Sequence, residues 1–239
     1  MISPLLANVY LHRLDRAWDV RRHGVLMRYA DDLLVMCKSR QRAEDALARL
    51  RLLLADLGLE PKQAKTRIVH LEVGGEGFDF LGFHHRLVRS RGRVGAKGVA
   101  FLARWPSKKA GQHARDRVPE ITARRRQLNR SDWIVDDLNR FLRGWSAYFG
   151  YGNSAAQFDK INRYTQLRLA ILVAGRHHRP RGFGWSVVAY RSPDHLGLID
   201  LTKQGTIVAP RPFKAWRERP NAGGERRRQA VYGRTACTV

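Results

Sequence analysis

The sequence predicts an α+β fold, in which an antiparallel sheet with helices is followed by a mainly α-helical region. Short apolar runs flank tight turns at residues 30–32 and 74–77, which is typical of β-hairpins. Apolar residues recur at helical spacing before each hairpin and again over residues 107–175. Strands are therefore concentrated in the first part of the chain and helices in the second, which indicates the α+β class.

Two helices are predicted in the first part of the chain. Residues 4–23 carry apolar side chains at three- and four-residue steps, and Ser3-Pro4 supplies an N-cap with a first-turn proline. Residues 40–57 show the same spacing and follow Ser39, a good N-cap residue. Each helix therefore presents one apolar face to a core.

The predicted strands lie between and after these helices. Val25–Tyr29 and Leu33–Cys37 surround an acidic turn and form the first hairpin. Thr66–Leu71 and Phe78–Phe83 are predicted as strands on either side of a glycine-rich turn. The Arg- and Gly-rich segment Leu87–Val99 is predicted to form a further, exposed hairpin.

Helical patterns dominate residues 107–175, above all in Ile134–Phe149 and Ala155–Val173. Proline and glycine interrupt the pattern at residues 177–184. The tail after this point mixes short apolar pieces with arginines, and we expect its end to be loosely ordered. A domain boundary is predicted near residues 95–105, where glycines and a polar run separate the two patterns.

The chain is strongly basic, and the charge is unevenly distributed. Its 239 residues include 45 Lys+Arg and 21 Asp+Glu, a formal net charge of +24. Residues 1–60 hold only ten of the basic side chains and eight of the acidic ones, so almost all of the excess lies in residues 61–239. A polyanion is the natural partner, because neutralised phosphates release their counterions. Nucleic acid is favoured over an acidic membrane surface, since the charge is spread through folded-looking sequence.

The two cysteines, Cys37 and Cys237, are far apart and have no neighbours at metal-ligand spacing. This pattern predicts neither a disulfide scaffold nor a zinc site. The sequence contains no apolar run long enough to span a bilayer and no secretory cleavage pattern, so we expect a cytoplasmic protein.

The run Tyr29-Ala30-Asp31-Asp32 is the most informative candidate for chemistry. Adjacent carboxylates at a hairpin tip repel each other unless a cation is bound there. Their hard oxygen ligands suit Mg²⁺, and two such ions support phosphoryl transfer by activating a hydroxyl and stabilising the leaving group. The alternative is a solvated turn, because aspartate is a common turn residue.

This run belongs to an ordered series of motifs, which are Ile2–His12, Tyr29–Asp32, Lys65–His70, Phe78–Phe83, and Leu138–Trp145 followed by Tyr148-Phe149. In order and spacing, the series resembles the reverse transcriptases and maturases of group II introns. The resemblance implies a partial reverse-transcriptase palm over residues 1–100 and a thumb with the maturase-specific helical domain over 101–180. Residues 181–239 would be a basic C-terminal extension.

The resemblance implies an RNA-directed DNA polymerase and intron maturase that binds intron RNA and assists splicing and reverse transcription of a mobile element. The implied cofactor is Mg²⁺, and the implied partners are group II intron RNA, an RNA template with a DNA primer, and dNTPs. The alternative is an RNA-binding maturase without polymerase activity. No membrane partner is expected.

The resemblance also implies roles for individual residues. Asp31 would be a metal ligand, with Asp32 as a second ligand or electrostatic partner, and Lys65 would protonate or neutralise the departing pyrophosphate. Nucleotide or primer contacts would come from Tyr29, Phe80 and Gly82, although the aromatic residues are equally explained as core residues of strands. Candidate RNA-binding residues in the helical part are Arg124, Arg125, Arg126, Arg140, Arg143 and Arg163, while its aromatic residues are expected to be mainly core.

The family's palm uses a third carboxylate from a strand upstream of the Ser3-Pro4 helix, and this chain begins after that position. We therefore expect the chain alone to be inactive as a polymerase, because a lost ligand weakens transition-state stabilisation. A separate N-terminal reverse-transcriptase segment is a possible partner.

Overall fold

The computed structural model describes residues 3–90, 98–188, 196–202 and 234–238. The described parts of residues 1–103 and 214–239 form one compact unit, and those of residues 104–213 form a second. Helices and antiparallel strands share the first unit, whereas helices dominate the second, so the predicted α+β class is confirmed.

The elements of the first unit are α1 (Ser3–Ala17), α2 (Val20–His23), β1 (Val25–Tyr29), β2 (Asp32–Cys37), α3 (Arg40–Ala55), β3 (Arg67–Leu71), β4 (Phe78–Phe80), β5 (Phe83–Arg89) and β7 (Arg234–Thr238), with β6 (Ala100–Pro106) running across the boundary. The second unit contains α4 (Lys108–Ile121), a 3₁₀ turn (Arg124–Arg126), α5 (Ser131–Phe149), α6 (Ala155–Arg176) and α7 (Arg181–Val188). Among these described helices, none has the length and apolar character needed to cross a bilayer.

The prediction of one continuous helix over residues 4–23 is wrong, because the helix is interrupted between α1 and α2. The Asp19 side chain accepts hydrogen bonds from the backbone amides of Arg21 and Arg22, at 2.9 and 3.3 Å. An aspartate in this position is an N-cap and starts a new helix. The apolar stripe alone did not reveal the break, since Trp18 continues it into the interruption.

Strand β2 is buried on both faces of a four-stranded sheet with the order β1-β2-β7-β3. Leu33, Val35 and Cys37 pack in an apolar cluster with residues of α1 and α3. Leu34 and Met36 face the opposite side and pack with residues of β3 and β4. Burial on both faces explains why the sequence of β2 is a continuous apolar run instead of an alternating one.

Strand β7 occupies the position between β2 and β3 and is antiparallel to both. We expected the end of the tail to be loosely ordered, and the strand over Arg234–Thr238 is a difference from that expectation. The tail's strand-forming residues gain order because two facing strand edges offer them backbone partners, which a sequence pattern does not show.

The prediction of one strand over Phe78–Phe83 is also wrong, because a two-residue turn divides it into β4 and β5. Phe80 pairs directly with Phe83, and the turn residues Leu81 and Gly82 have positive φ angles of 50° and 76°. Two positive φ angles are typical of a type I′ hairpin turn. Leucine rarely adopts this conformation, which is why the run did not look like a turn. The hairpin predicted over residues 87–99 falls partly on residues 91–97, which lie outside the described residues.

In the second unit, the segment 196–202 packs against α5 and α6 through two buried asparagines. Asn139 of α5 donates to the Gly197 carbonyl and accepts from the Ile199 amide, both at 2.9 Å. Asn162 of α6 donates to the Asp200 carboxylate at 2.8 Å and accepts from the Leu201 amide at 3.4 Å. Each amide side chain therefore satisfies backbone or side-chain groups of the extended segment inside a helical core.

Helices α6 and α7 approach closely where Gly184 lies against the Ala170 backbone. A Cβ atom on Gly184 would overlap the Ala170 carbonyl group. We expect Gly184→Ala to lower the free energy of unfolding of this unit by about 1–3 kcal/mol, as overpacked cores do. Urea unfolding followed by circular dichroism measures the change.

Gly182→Ala is the matched control, because Gly182 lies on the same helix with open space around its Cα. This change should raise the stability by up to about 1 kcal/mol, since alanine is the better helix former. Equal effects of the two substitutions would contradict the close approach of α6 and α7.

Candidate functional site

The acidic motif forms the tip of the β1–β2 hairpin. Tyr29 pairs with Asp32, so the connecting loop consists of Ala30 and Asp31 alone. Ala30 has a φ angle of 53°, which is in the left-handed region. A residue with a Cβ atom pays about 1–2 kcal/mol for this conformation. The tip is therefore a tight turn that the surrounding structure must hold in place.

The carboxylates of Asp31 and Asp32 are both exposed at this tip. In the ranges that the structure describes, neither carboxylate makes a hydrogen bond or an ion pair with another residue. Two adjacent acidic groups in this state attract an external cation.

The donor set of the tip fits Mg²⁺ that is shared with a bound substrate. Among the described residues, no group of three or more His, Cys, Asp or Glu side chains is placed to hold a metal ion. Mg²⁺ commonly binds through one or two carboxylates while it keeps several waters and takes further oxygens from substrate phosphates. Asp31 and Asp32 supply the two carboxylates for such an arrangement.

Arg28 connects the tip to helix α1. Its guanidinium binds both carboxylate oxygens of Asp15, with Nε donating at 3.0 Å and Nη2 at 2.5 Å. Nη1 donates to the Asn8 side-chain oxygen at 2.8 Å and to the Ala30 carbonyl at 3.0 Å. The hydrogen bond to Asp15 raises the pKa of Arg28, against the opposing effect of burial, so the side chain remains charged.

Sequence reasoning did not single out this network. The available signal was a charged residue on the inward face of an otherwise apolar strand, together with Asn8 and Asp15 seven residues apart on one face of α1. Only the packing of α1 on β1 brings the three side chains together.

Tyr29 lies on the face of β1 opposite to Arg28, and 65% of its surface is exposed. Val25 and Met27 share this open face. The interpretation of Tyr29 as a core residue is therefore wrong, and its ring is available beside the acidic tip.

Strand pairing places Lys65 at the same end of the sheet as the tip. Thr238 pairs with both Leu34 of β2 and Arg67 of β3, so these residues are level across the sheet. Asp32 is the first residue of β2, two residues before that level, and Lys65 lies in the turn that ends two residues before Arg67, the first residue of β3. The strands β2 and β3 are about 10 Å apart, with β7 between them. Lys65 is exposed.

The two residues predicted to contact the primer lie on the β4–β5 hairpin. Phe80 packs against the apolar cluster around Leu34 and Phe78, while Gly82 is exposed in the turn. The contacts of Phe80 are those of a half-buried strand residue. The structure brings Asp31 and Asp32 together at the tip, and the hairpin of Phe80 and Gly82 belongs to the other sheet.

The six candidate RNA-binding arginines fall into two groups. Arg126 is engaged internally, since it donates to the Ile121 carbonyl at 3.2 Å and to Asp137 at 2.6 Å. Its hydrogen bond lowers the pKa of Asp137, although the desolvation of that carboxylate opposes the shift. The other five are exposed on the surface, and they are Arg124, Arg125, Arg140, Arg143 and Arg163.

The five exposed arginines differ in how freely they can meet a ligand. Arg140 and Arg163 form ion pairs with Asp137 and Asp159, at 3.4 and 3.0 Å. Such exposed pairs are weak and exchange readily with solvent or phosphate. Arg124, Arg125 and Arg143 make no side-chain ion pair with any described residue.

Aromatic residues share the exposed surface of α5 with Arg140 and Arg143. Trp133 and Tyr148 are 60% and 53% exposed, and Tyr151, just beyond the helix, is 66% exposed. Helical spacing puts Trp133, Arg140 and Tyr148 within one stripe. The expectation that the aromatics are mainly core holds for Trp145, which is 7% exposed, and is wrong for the other three.

Two segments of the chain match known family models. Residues 1–85 match the family model described as reverse transcriptase (RNA-dependent DNA polymerase), and residues 111–190 match the group II intron, maturase-specific domain. No curated protein matches the chain significantly. The segment that matches the reverse-transcriptase model contains the acidic tip, and it precedes the segment that matches the maturase-specific domain. The chain belongs to the group II intron reverse transcriptase/maturase family.

Proposed function

We propose that this chain functions as an RNA-directed DNA polymerase and intron maturase of the group II type. The observation that carries the polymerase assignment is the exposed pair Asp31 and Asp32 on a strained two-residue turn, without a counter-charge among the described residues. The proposed partners are group II intron RNA, an RNA template with a DNA primer, and dNTPs.

The residues of the first unit have distinct proposed tasks. Asp31 and Asp32 would hold Mg²⁺, which when bound activates the primer hydroxyl and neutralises charge on the phosphates. Tyr29 has an exposed ring against which a nucleotide can pack. Lys65 lies at the same end of the sheet and supplies positive charge for the departing pyrophosphate.

The second unit is the proposed binding surface for intron RNA. Arg124, Arg125 and Arg143 are exposed and have no described ion-pair partner to give up. Trp133 and Tyr148 are exposed aromatic residues on which unpaired bases can stack. One face of the Trp133 ring already carries the Arg130 guanidinium, 5.8 Å from the ring centroid, so a base would stack on the other face. This combination of phosphate-binding arginines and stacking rings favours single-stranded or looped RNA over regular duplex.

A second candidate is RNA binding and splicing assistance without polymerisation. The charge distribution favours it, because residues 61–239 hold 35 of the 45 basic side chains and only 13 of the 21 acidic ones. The surface for RNA therefore does not depend on the carboxylates of the tip.

Primer extension on an RNA template with dNTPs and Mg²⁺ tests the polymerase assignment. We expect incorporation when the chain is combined with the separate N-terminal reverse-transcriptase segment that the resemblance implies. Asp31→Ala should abolish this incorporation while RNA affinity remains unchanged. Asp136→Ala is the control, because Asp136 is an exposed aspartate on α5. If no dNTP is incorporated even with the N-terminal segment added, the polymerase assignment fails and the second candidate remains.

Filter binding of intron RNA over a range of salt concentrations tests the binding surface. Replacing Arg124, Arg125 and Arg143 together by glutamine should lower the magnitude of the slope of log affinity against log salt by about 2 to 3. Each lost phosphate contact removes roughly 0.7–0.9 from that slope. Arg40→Gln in α3 is the control, because Arg40 is exposed and forms an ion pair with Glu44 of the same helix. An unchanged slope in the triple variant would refute the proposed surface.

A further inference from the structure

Arg28 is the only side chain of β1 that joins both the acidic tip and a helix by hydrogen bonds in the described part of the chain. Its side chain is only 12% exposed, although it carries a full charge. A buried guanidinium costs free energy unless its donors are satisfied. Here Asp15 and Asn8 on α1 and the Ala30 carbonyl accept from it.

The geometry of these bonds requires arginine. Asp15 receives two parallel donors from Nε and Nη2, which fixes the plane of the guanidinium. In that plane Nη1 reaches both Asn8 and Ala30, at 2.8 and 3.0 Å. A lysine presents a single ammonium group and cannot bind the carboxylate in this forked way while also reaching the turn.

The Ala30 carbonyl belongs to the peptide unit that leads directly into Asp31. Because Ala30 is held at a φ angle of 53°, the turn relaxes to a more common conformation if nothing restrains it. A rotation of that peptide unit would redirect the Asp31 carboxylate. The hydrogen bond from Arg28 to the Ala30 carbonyl restrains this peptide group. Arg28 itself lies in the packed part of the first compact unit, so the restraint is anchored there.

We propose that Arg28 is a positioning residue that holds the Ala30–Asp31 turn against helix α1 and thereby fixes the direction of the two metal-binding carboxylates. Asn8 and Asp15 orient Arg28 and act only through it. This inference rests on the proposed metal-binding function of Asp31 and Asp32, and it adds a residue outside the acidic motif to that function.

Mn²⁺ binding to the full chain, measured by the loss of the free-ion signal in electron paramagnetic resonance, tests the proposal. Arg28→Lys should weaken Mn²⁺ binding about tenfold, the lower end of what altered outer-shell partners cause. Arg67→Lys is the matched control, because Arg67 is also a strand arginine in an ion pair, with Glu76 at 2.8 Å. The control should leave Mn²⁺ affinity unchanged.

A rescue experiment separates positioning from a merely structural role. Glycine adopts a positive φ without strain, so adding Ala30→Gly to Arg28→Lys should recover most of the lost Mn²⁺ affinity. If Arg28 only stabilised the fold, the glycine would restore nothing. Thermal unfolding of each variant shows whether the chain is folded at the temperature of the binding measurement.

Amide hydrogen exchange without metal distinguishes failure of this inference from failure of the proposed function. Arg28→Lys should speed exchange at the amide of Asp32 while exchange in α3 stays the same. Unchanged exchange at the tip together with unchanged Mn²⁺ affinity would overturn the inference. If Asp31→Ala leaves Mn²⁺ binding intact but amide exchange at the tip is faster in Arg28→Lys, Arg28 does position the turn and the proposed metal-binding function is wrong.

Discussion

Removing residues 234–239 is expected to unfold the sheet of the first unit. Four residues of β7 pair with β2 and five pair with β3, so the deletion leaves two facing strand edges without partners. Leu34, Val35 and Cys37 on β2 are buried, and their backbone groups would lose partners away from water. Each such unsatisfied group costs about 1–3 kcal/mol, so a loss of at least about 3 kcal/mol is expected.

Hydrogen exchange read by mass spectrometry measures this effect segment by segment. Peptides from β2 and β3 should exchange much faster after the deletion, while α5 and α6 in the other unit should not change. Ala236→Pro should reproduce much of the loss, because Ala236 pairs with both Met36 and Val69 and proline cannot donate.

Thr235→Val is the control for the strand, since valine is also β-branched and keeps every backbone donor. Its exchange pattern should match that of the unaltered chain. Equal protection of β2 in the presence and absence of β7 would show that the strand contributes nothing to the sheet.

The second large effect is expected from Asn139→Leu in α5. Leucine has a similar volume, but it can neither donate to the Gly197 carbonyl nor accept from the Ile199 amide. Asn139 is buried, so the two lost bonds are not replaced by water. We expect the free energy of unfolding of the second unit to fall by about 2–4 kcal/mol, as lost buried partners cost about 1–3 kcal/mol each.

Denaturant unfolding of the full chain, followed by tryptophan fluorescence, measures this loss. Asp136→Ala, an exposed change on the same helix, should stay within about 0.5 kcal/mol. Asn162→Leu should behave like Asn139→Leu, because Asn162 holds the next part of the same segment. A neutral result for both asparagines would show that the segment 196–202 is held by its apolar contacts alone.

Much of the fold follows from local patterns. The β1–β2 hairpin and the helices α3, α5 and α6 appear where their apolar spacing and caps predict them, with ends shifted by a few residues. The patterns fail where a single side chain or an unusual backbone conformation determines the end of a helix or strand, as at Asp19 and Leu81. Apolar periodicity reports burial, and it does not report a competing hydrogen bond or a left-handed residue.

In the candidate site, too, some residues are indicated by the sequence and others are revealed only by the tertiary structure. Asp31 and Asp32 are conspicuous in the sequence because they stand within an ordered series of motifs, and metal binding by them stays a prediction. Arg28 is not conspicuous, because its partners Asn8 and Asp15 are remote in sequence. The arginines of the helical region looked alike in sequence, yet Arg126 is bound to Asp137 while Arg143 remains exposed.

By itself the sequence determined the α+β class, the acidic hairpin, the strongly basic composition and the family to which the chain belongs. These properties reside in composition and in short motifs, where neighbouring residues act through local spacing and charge. Only the tertiary structure decided that β7 completes the sheet, that Arg28 holds the acidic turn, and which arginines face solvent. Those outcomes depend on strand edges and hydrogen-bond donors that come into contact although they are remote in sequence. No local sequence pattern encodes such long-range contacts.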